Sequence, residues 1–115
     1  MCGSMKIKGK PTRIGTPITA RLGGTEVSGR WSGFARQESI ETTWRNRIRD
    51  VMIDADSYEE HGVEFKVPEG KAIRGAIVDN PFRDEPGQIV IVTRPAETDL
   101  EIQVHNRHPV FVPKG

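Results

Sequence analysis

The chain has 115 residues, 35% hydrophobic, 6% aromatic and 29% charged, and at about 100–200 residues per domain it makes one domain with one core. Its 12 glycines and 8 prolines predict many turns and short elements. No apolar run approaches the roughly 20 residues of a membrane-spanning helix, the start Met1-Cys2-Gly3-Ser4-Met5-Lys6 lacks the apolar stretch of a secretory signal, and one cysteine, Cys2, excludes an intrachain disulfide and a multi-cysteine metal site.

The net charge of +1 is unevenly spread. Residues 1–49 hold ten basic and three acidic side chains, for +7, and residues 50–115 hold seven basic and thirteen acidic, for −6. Such asymmetry points to a nucleic-acid arm, an acidic partner, or head-to-tail self-association that closes into rings. The competing reading is that folding intermixes the halves and no patch survives.

Residues 1–11 are small, basic and polar and predict a flexible arm, leaving 12–115 as a single β-rich domain. Pro17 to Leu22 alternates, with Ile18, Ala20 and Leu22 on one face; Gly23-Gly24 follows as a two-residue hairpin loop, and Thr25 to Gly29 returns. That loop sets Leu22 opposite Thr25, Ala20 opposite Val27, Ile18 opposite Gly29 and Arg21 opposite Glu26. Trp31 continues the apolar face as a core residue that would cover the gap at Gly29.

The spacing of Ile40, Trp44, Ile48 and Met52 predicts a helix over 39–52, with Ser39 as N-cap and Glu41–Arg45 as an i,i+4 pair. Thr42 and Thr43 argue against it, and Val51-Met52-Ile53 also reads as extended. Strands are predicted at 63–67, 72–78 and 89–92, the last uniformly apolar as in a strand buried on both sides; 79–87 is a loop by composition. Leu100, Ile102 and Val104 alternate with polar residues and predict a further strand, and Val110-Phe111-Val112 a last one. The expected fold is mainly β, a small barrel or sandwich of six to seven short strands with one short helix, α+β in class.

The chain carries no GxxxxGK[ST] loop, no GxGxxG, no HExxH and no CxxC. Cys2 lies in the arm and is not expected to be a catalytic thiol. His105 and His108 flank a predicted turn; with His61, Asp99 and Glu101 they would make a metal or general-base site only if the fold gathered them. Asp54-x-Asp56 resembles the start of a calcium loop but lacks its glycine and distant Glu. Asp54, Asp56, Glu59 and Glu60, joined by Asp84 and Glu85, are therefore read as an acidic face for a partner. Arg45, Arg47 and Arg49 are the basic contact face, and the same arginines would serve as phosphate clamps in a nucleic-acid binder. With Trp31 and Trp44 expected in the core, no stacking platform accompanies them.

Val63-Glu64-Phe65, then Ala72-Ile73-Arg74-Gly75-Ala76-Ile77-Val78-Asp79-Asn80-Pro81, then Val92-Thr93-Arg94-Pro95 resemble the small head–tail joining proteins of long-tailed phages. Those carry a similar apolar-Arg-Gly-apolar segment followed by Asp-x-Pro. The resemblance spans about a third of the chain; the hairpin at 17–29 fits it poorly, and the family's later Arg-Gly-Asp turn is missing. It implies a ring-forming connector or stopper of the virion, assembled in the host cytoplasm, with no active site, cofactor or resident metal. Its partners would be copies of itself and neighbouring virion proteins, with no membrane. A nucleic-acid-binding barrel and a metal-assisted hydrolase built on His105 and His108 are the rival readings.

Overall fold

A computed structural model describes residues 3–42, 48–78 and 87–114. In chain order the elements are β1 (Ser4–Ile7), β2 (Lys10–Thr12), β3 (Pro17–Leu22), β4 (Thr25–Arg36), α1 (Gln37–Thr42), β5 (Ile48–Ile53), β6 (Ser57–Glu60), β7 (Val63–Lys66), β8 (Lys71–Val78), β9 (Gly87–Pro95), α2 (Asp99–Val104), β10 (Arg107–Pro109) and β11 (Phe111–Pro113).

The hairpin of β3 and β4 has the register expected from its loop, with Leu22 opposite Thr25, Ala20 opposite Val27 and Ile18 opposite Gly29. Arg21 lies opposite Glu26 on the backbone, yet its guanidinium reaches Asp54 instead, through bonds of 2.8 and 2.9 Å. From this hairpin the sheet continues both ways. β4 runs parallel to β9, β3 pairs with β5, β5 with β8, and β8 closes on β9. The result is a five-stranded barrel, in which β3 and β5 are joined at a single residue pair, Arg21 with Met52.

Alternation along the barrel strands separates two apolar clusters. Ile18, Ala20, Trp31, Val51, Ile53, Ile73, Ile89 and Ile91 fill the interior. Ala76 and Val92 point the other way and pack under Ile40 of α1. A register shift between Trp31 and Gly33 keeps Trp31 and Phe34 in the interior cluster although they are three apart. The gap at Gly29 is filled by Ile89, not by Trp31: a Cβ on Gly29 would stand 2.7 Å from the Ile89 side chain.

β8 and β9 pair at Gly75–Val78 with Gln88–Ile91 and then diverge. The 107–113 segment enters the opening: β10 pairs with β9 and β11 with β8. Between them Val110 donates to the Val92 carbonyl at 3.0 Å and accepts from Arg74 N–H at 2.8 Å.

A second sheet, ordered β2-β1-β6-β7, covers one side of this body. Its inner residues Met5 and Tyr58 belong to the same core cluster as the barrel interior. The ends of β6 and β7 meet in a two-residue turn, His61-Gly62, in which both residues take positive φ (51° and 77°), the conformation of a primed hairpin turn.

Three expectations are corrected. Residues 4–7 and 10–12 are strands rather than a flexible arm, because Met5 and Ile7 alternate with lysines and Met5 is fully buried. The helix expected over 39–52 is a six-residue helix at Gln37–Thr42, and Ile48–Ile53 is a strand. A step of four is also a multiple of two, so Ile48 and Met52 share a face in a strand as they would in a helix. The strand expected around Leu100–Val104 is helix α2. Thr98 caps it, its hydroxyl accepting from Glu101 N–H at 3.2 Å, in a Thr-x-x-Glu pattern that marks helix starts.

Candidate functional site

The contact residues expected from sequence do not gather into two opposed faces. Arg45, Arg47, Asp84 and Glu85 lie outside the described residues. Arg49 is exposed on β5 opposite Ile77. Asp54 is tied to Arg21 and approaches Lys114 at 3.8 Å, and this carboxylate raises the pKa of the Arg21 guanidinium through its hydrogen bond and its charge. Asp56 accepts from Gly9 N–H at 2.9 Å. Glu59 is exposed, whereas Glu60 is buried and takes the Tyr58 hydroxyl at 2.7 Å. Glu60 is therefore no part of an outward acidic face; it shares a strand face with Tyr58, which points inward.

Several of the charged side chains find partners within the chain. Lys6 meets Glu64 at 3.3 Å, Arg107 meets Glu38 at 3.1 Å, and Arg74 meets Asp50 at 3.1 Å and Glu41 at 3.6 Å. Glu38 is held below the usual carboxylate range chiefly by the Arg107 hydrogen bond. Such exposed pairs contribute little energy each; of the pairs named, only Lys6–Glu64 and Arg21–Asp54 join a base of residues 1–49 to an acid of residues 50–115, so they do not cancel the asymmetry between the halves.

A different cluster stands out around α2. Glu101 is 8% exposed although it sits on a surface helix. Its carboxylate takes Arg94 at 2.9 and 3.3 Å and Glu97 N–H at 3.1 Å. Burial alone would raise its pKa, but the Arg94 and Glu97 hydrogen bonds, with the nearby positive charges, outweigh burial and hold it at about 2. His108 lies 3.9 Å away, 4% exposed, and is enclosed edge-on by Phe65, Phe111 and Tyr58. Desolvation depresses its pKa more than Glu101 raises it. A histidine so disposed is neutral near pH 7, so Arg94 is the cation that compensates Glu101.

Because Glu101 is anchored inward, the helix is turned over relative to its apolar content. Leu100 and Ile102 face solvent at 50% and 58% exposure. Alternation in the sequence reads the two as one face of a strand and gives Arg94 no site role; Thr98, three residues before Glu101, is the signal for the helix.

His105 uses its Nδ1 to accept from Arg107 N–H at 3.0 Å, and His61 is an exposed turn residue. Among the described residues no three His, Cys, Asp or Glu side chains are arranged to hold a metal ion, and no helix is long and apolar enough to cross a membrane. Comparison of the chain with protein-family models, with curated proteins and with solved structures finds no match.

Proposed function

We propose that the protein is a structural component of a phage or prophage particle, a ring-forming head–tail connector or tail part that works by contact with copies of itself and with neighbouring virion proteins. The observation that carries this reading is the inverted helix α2. Glu101 is sunk into Arg94 while Leu100 and Ile102 stand in solvent. Scattered exposed apolar residues are ordinary. Here, however, a buried ion pair holds two large ones outward on a single turn of helix. The resemblance of residues 63–95 to head–tail joining proteins points the same way. In this reading the contact is led by apolar burial at α2 rather than by opposed charged faces.

Native mass measurement at low and moderate salt tests the reading. An oligomer that survives moderate salt is expected; a monomer at every concentration overturns it.

A second reading, a nucleic-acid-binding barrel, rests on one cleft. The β1–β2 hairpin and the β3–β4 hairpin enclose about 480 Å³ lined by Lys8, Lys10, Thr12, Thr16, Thr19 and Ser28. Lysines beside hydroxyls suit phosphate oxygens. Binding of duplex or single strands at low salt by a persistently monomeric protein would promote this reading over the first.

A further inference from the structure

The start of β1 and the β6–β7 turn enclose a cavity of about 470 Å³, to which Glu60, His61, Arg13, Ile14, Gly3 and Ser4 contribute. Glu60 is 3% exposed, and its two carboxylate oxygens are treated unequally. Oε2 accepts the Tyr58 hydroxyl at 2.7 Å, while Oε1 is buried with no donor among the described residues. Tyr58 stands directly against Gly3 of the cavity wall, since a Cβ on Gly3 would collide with its hydroxyl oxygen. A buried carboxylate oxygen without a donor is costly and rare in folded proteins, and it marks a place where a donor is to be supplied.

The lining decides what kind of donor. Among the described lining residues two carboxylates, Glu59 and Glu60, stand against one guanidinium, Arg13, and the imidazole of His61, so the cavity favours positive charge. No group of three metal ligands converges among the described residues, which points away from an ion held by protein ligands and toward N–H donors. Ile14, 45% exposed on the wall, offers an apolar surface to an alkyl stem. We propose that this cavity binds the ammonium or guanidinium group of an organic cation, with Glu60 Oε1 accepting one of its N–H bonds. The same chemistry is available from a free small amine or from a lysine or arginine of a second copy.

The test is an NMR titration of the full chain with n-butylammonium chloride and with methylguanidinium chloride. Tetramethylammonium, charged but without N–H, is the control. A saturable shift of the Glu60 side-chain carboxylate carbon and of the His61 and Gly62 amides is expected. Affinity should fall at least tenfold in Glu60→Gln, which keeps an acceptor for Tyr58. If that variant fails to fold, judged by the Trp31 indole signal, the wild-type Glu60 resonance decides alone. No saturable change with either probe, or an equal response to tetramethylammonium, overturns the proposal. A dilution series without probe separates the sources. Shifts at 59–62 that follow protein concentration and are reversed by butylammonium assign the donor to a second copy; shifts independent of concentration, with probe binding retained, assign it to a free cation.

Discussion

Arg94 and Glu101 face each other across the turn between β9 and α2, through bonds of 2.9 and 3.3 Å, and this pair sets which side of the helix is seen from outside. Glu101 is the more buried partner, with 10% of its side chain exposed against 24% for Arg94. Removing the cation leaves a carboxylate with the Glu97 N–H and a neutral histidine for company. Arg94→Ala should therefore cost about 3 kcal/mol, near the lower end for breaking a buried pair. Replacing both, as Arg94→Met with Glu101→Leu, should recover much of that loss, since it removes the desolvated charge together with its partner. Urea denaturation of the wild type and the two variants checks the order; a double variant no more stable than Arg94→Ala would refute it.

Acid should undo the same region in two stages. His108 has a folded pKa below its usual 6.5, so the unfolded chain binds that proton more readily. Its contribution to stability is present above about pH 6.5 and is lost as pH falls through the folded value. Glu101 is held at about 2 against a usual 4.5, which corresponds to about 3 kcal/mol present above pH 4.5 and lost as pH falls toward 2. Both signs agree: stability falls with acid, gently from pH 6.5 and steeply below 4.5. Denaturation midpoints measured from pH 8 to pH 3 check this, and His108→Gln should flatten the upper stage and, by removing a charge that helps hold Glu101 low, lessen the lower one.

Close approach of two backbones makes a third expectation. Gly29 and Gly87 sit opposite each other where β4 and β9 pair in parallel. A Cβ on Gly29 would stand 2.5 Å from the Gly87 carbonyl oxygen, and one on Gly87 would stand 2.8 Å from Ile77. Backbone cannot swing aside as a side-chain tip can, so Gly29→Ala should cost about 2–3 kcal/mol. Gly24→Ala, with nothing within 4 Å of its Cβ, should shift stability by less than about 0.5 kcal/mol. Thermal melts of the two variants separate these outcomes.

What could be read without coordinates was whatever rested on local pairing. The β3–β4 register followed from one loop length and two agreeing faces, and the strands at 63–66, 71–78 and 87–95 followed from alternation or continuous apolar content. Closure of the barrel did not, because β4 meets β9 across a separation of about 58 residues, a pairing no local pattern announces. The helix expected over 39–52 came from a spacing that helix and strand share at every fourth residue. β1 and β2 are too short, and their Lys8-Gly9 turn too unlike Asn-Gly, to signal a hairpin. The site fared worse still. Of the acidic residues expected on one outward face, Asp54 is taken by Arg21, Asp56 accepts a backbone N–H, and Glu60 is inside. α2 misled because Leu100, Ile102 and Val104 alternate as a strand should, while the structure turns Leu100 and Ile102 outward and Glu101 inward.

That inversion gives the most direct test of the assembly reading. Leu100 and Ile102 are 50% and 58% exposed, so replacing both with glutamate removes little that the folded chain uses; exposed positions usually change stability by less than about 0.5 kcal/mol each. Neither substitution touches the Arg94–Glu101 pair or the Thr98 cap. Leu100 and Ile102 lie about 200° apart on the two flanks of the helix; if copies dock around α2, burying both aliphatic side chains at about 25 cal/mol per Å² supplies a principal part of the association energy, and two carboxylates there would have to be desolvated instead. Leu100→Glu with Ile102→Glu should thus leave the melting temperature and far-ultraviolet spectrum near wild type while dropping the native mass to that of a monomer. Salt gives a second axis. Contacts between exposed charges are screened beyond about 8 Å at physiological ionic strength, whereas apolar burial is not, so the wild-type oligomer should persist as salt rises. An oligomer that falls apart at moderate salt but tolerates the double substitution would shift the interface away from α2, toward charged surfaces such as that of Arg49 on β5.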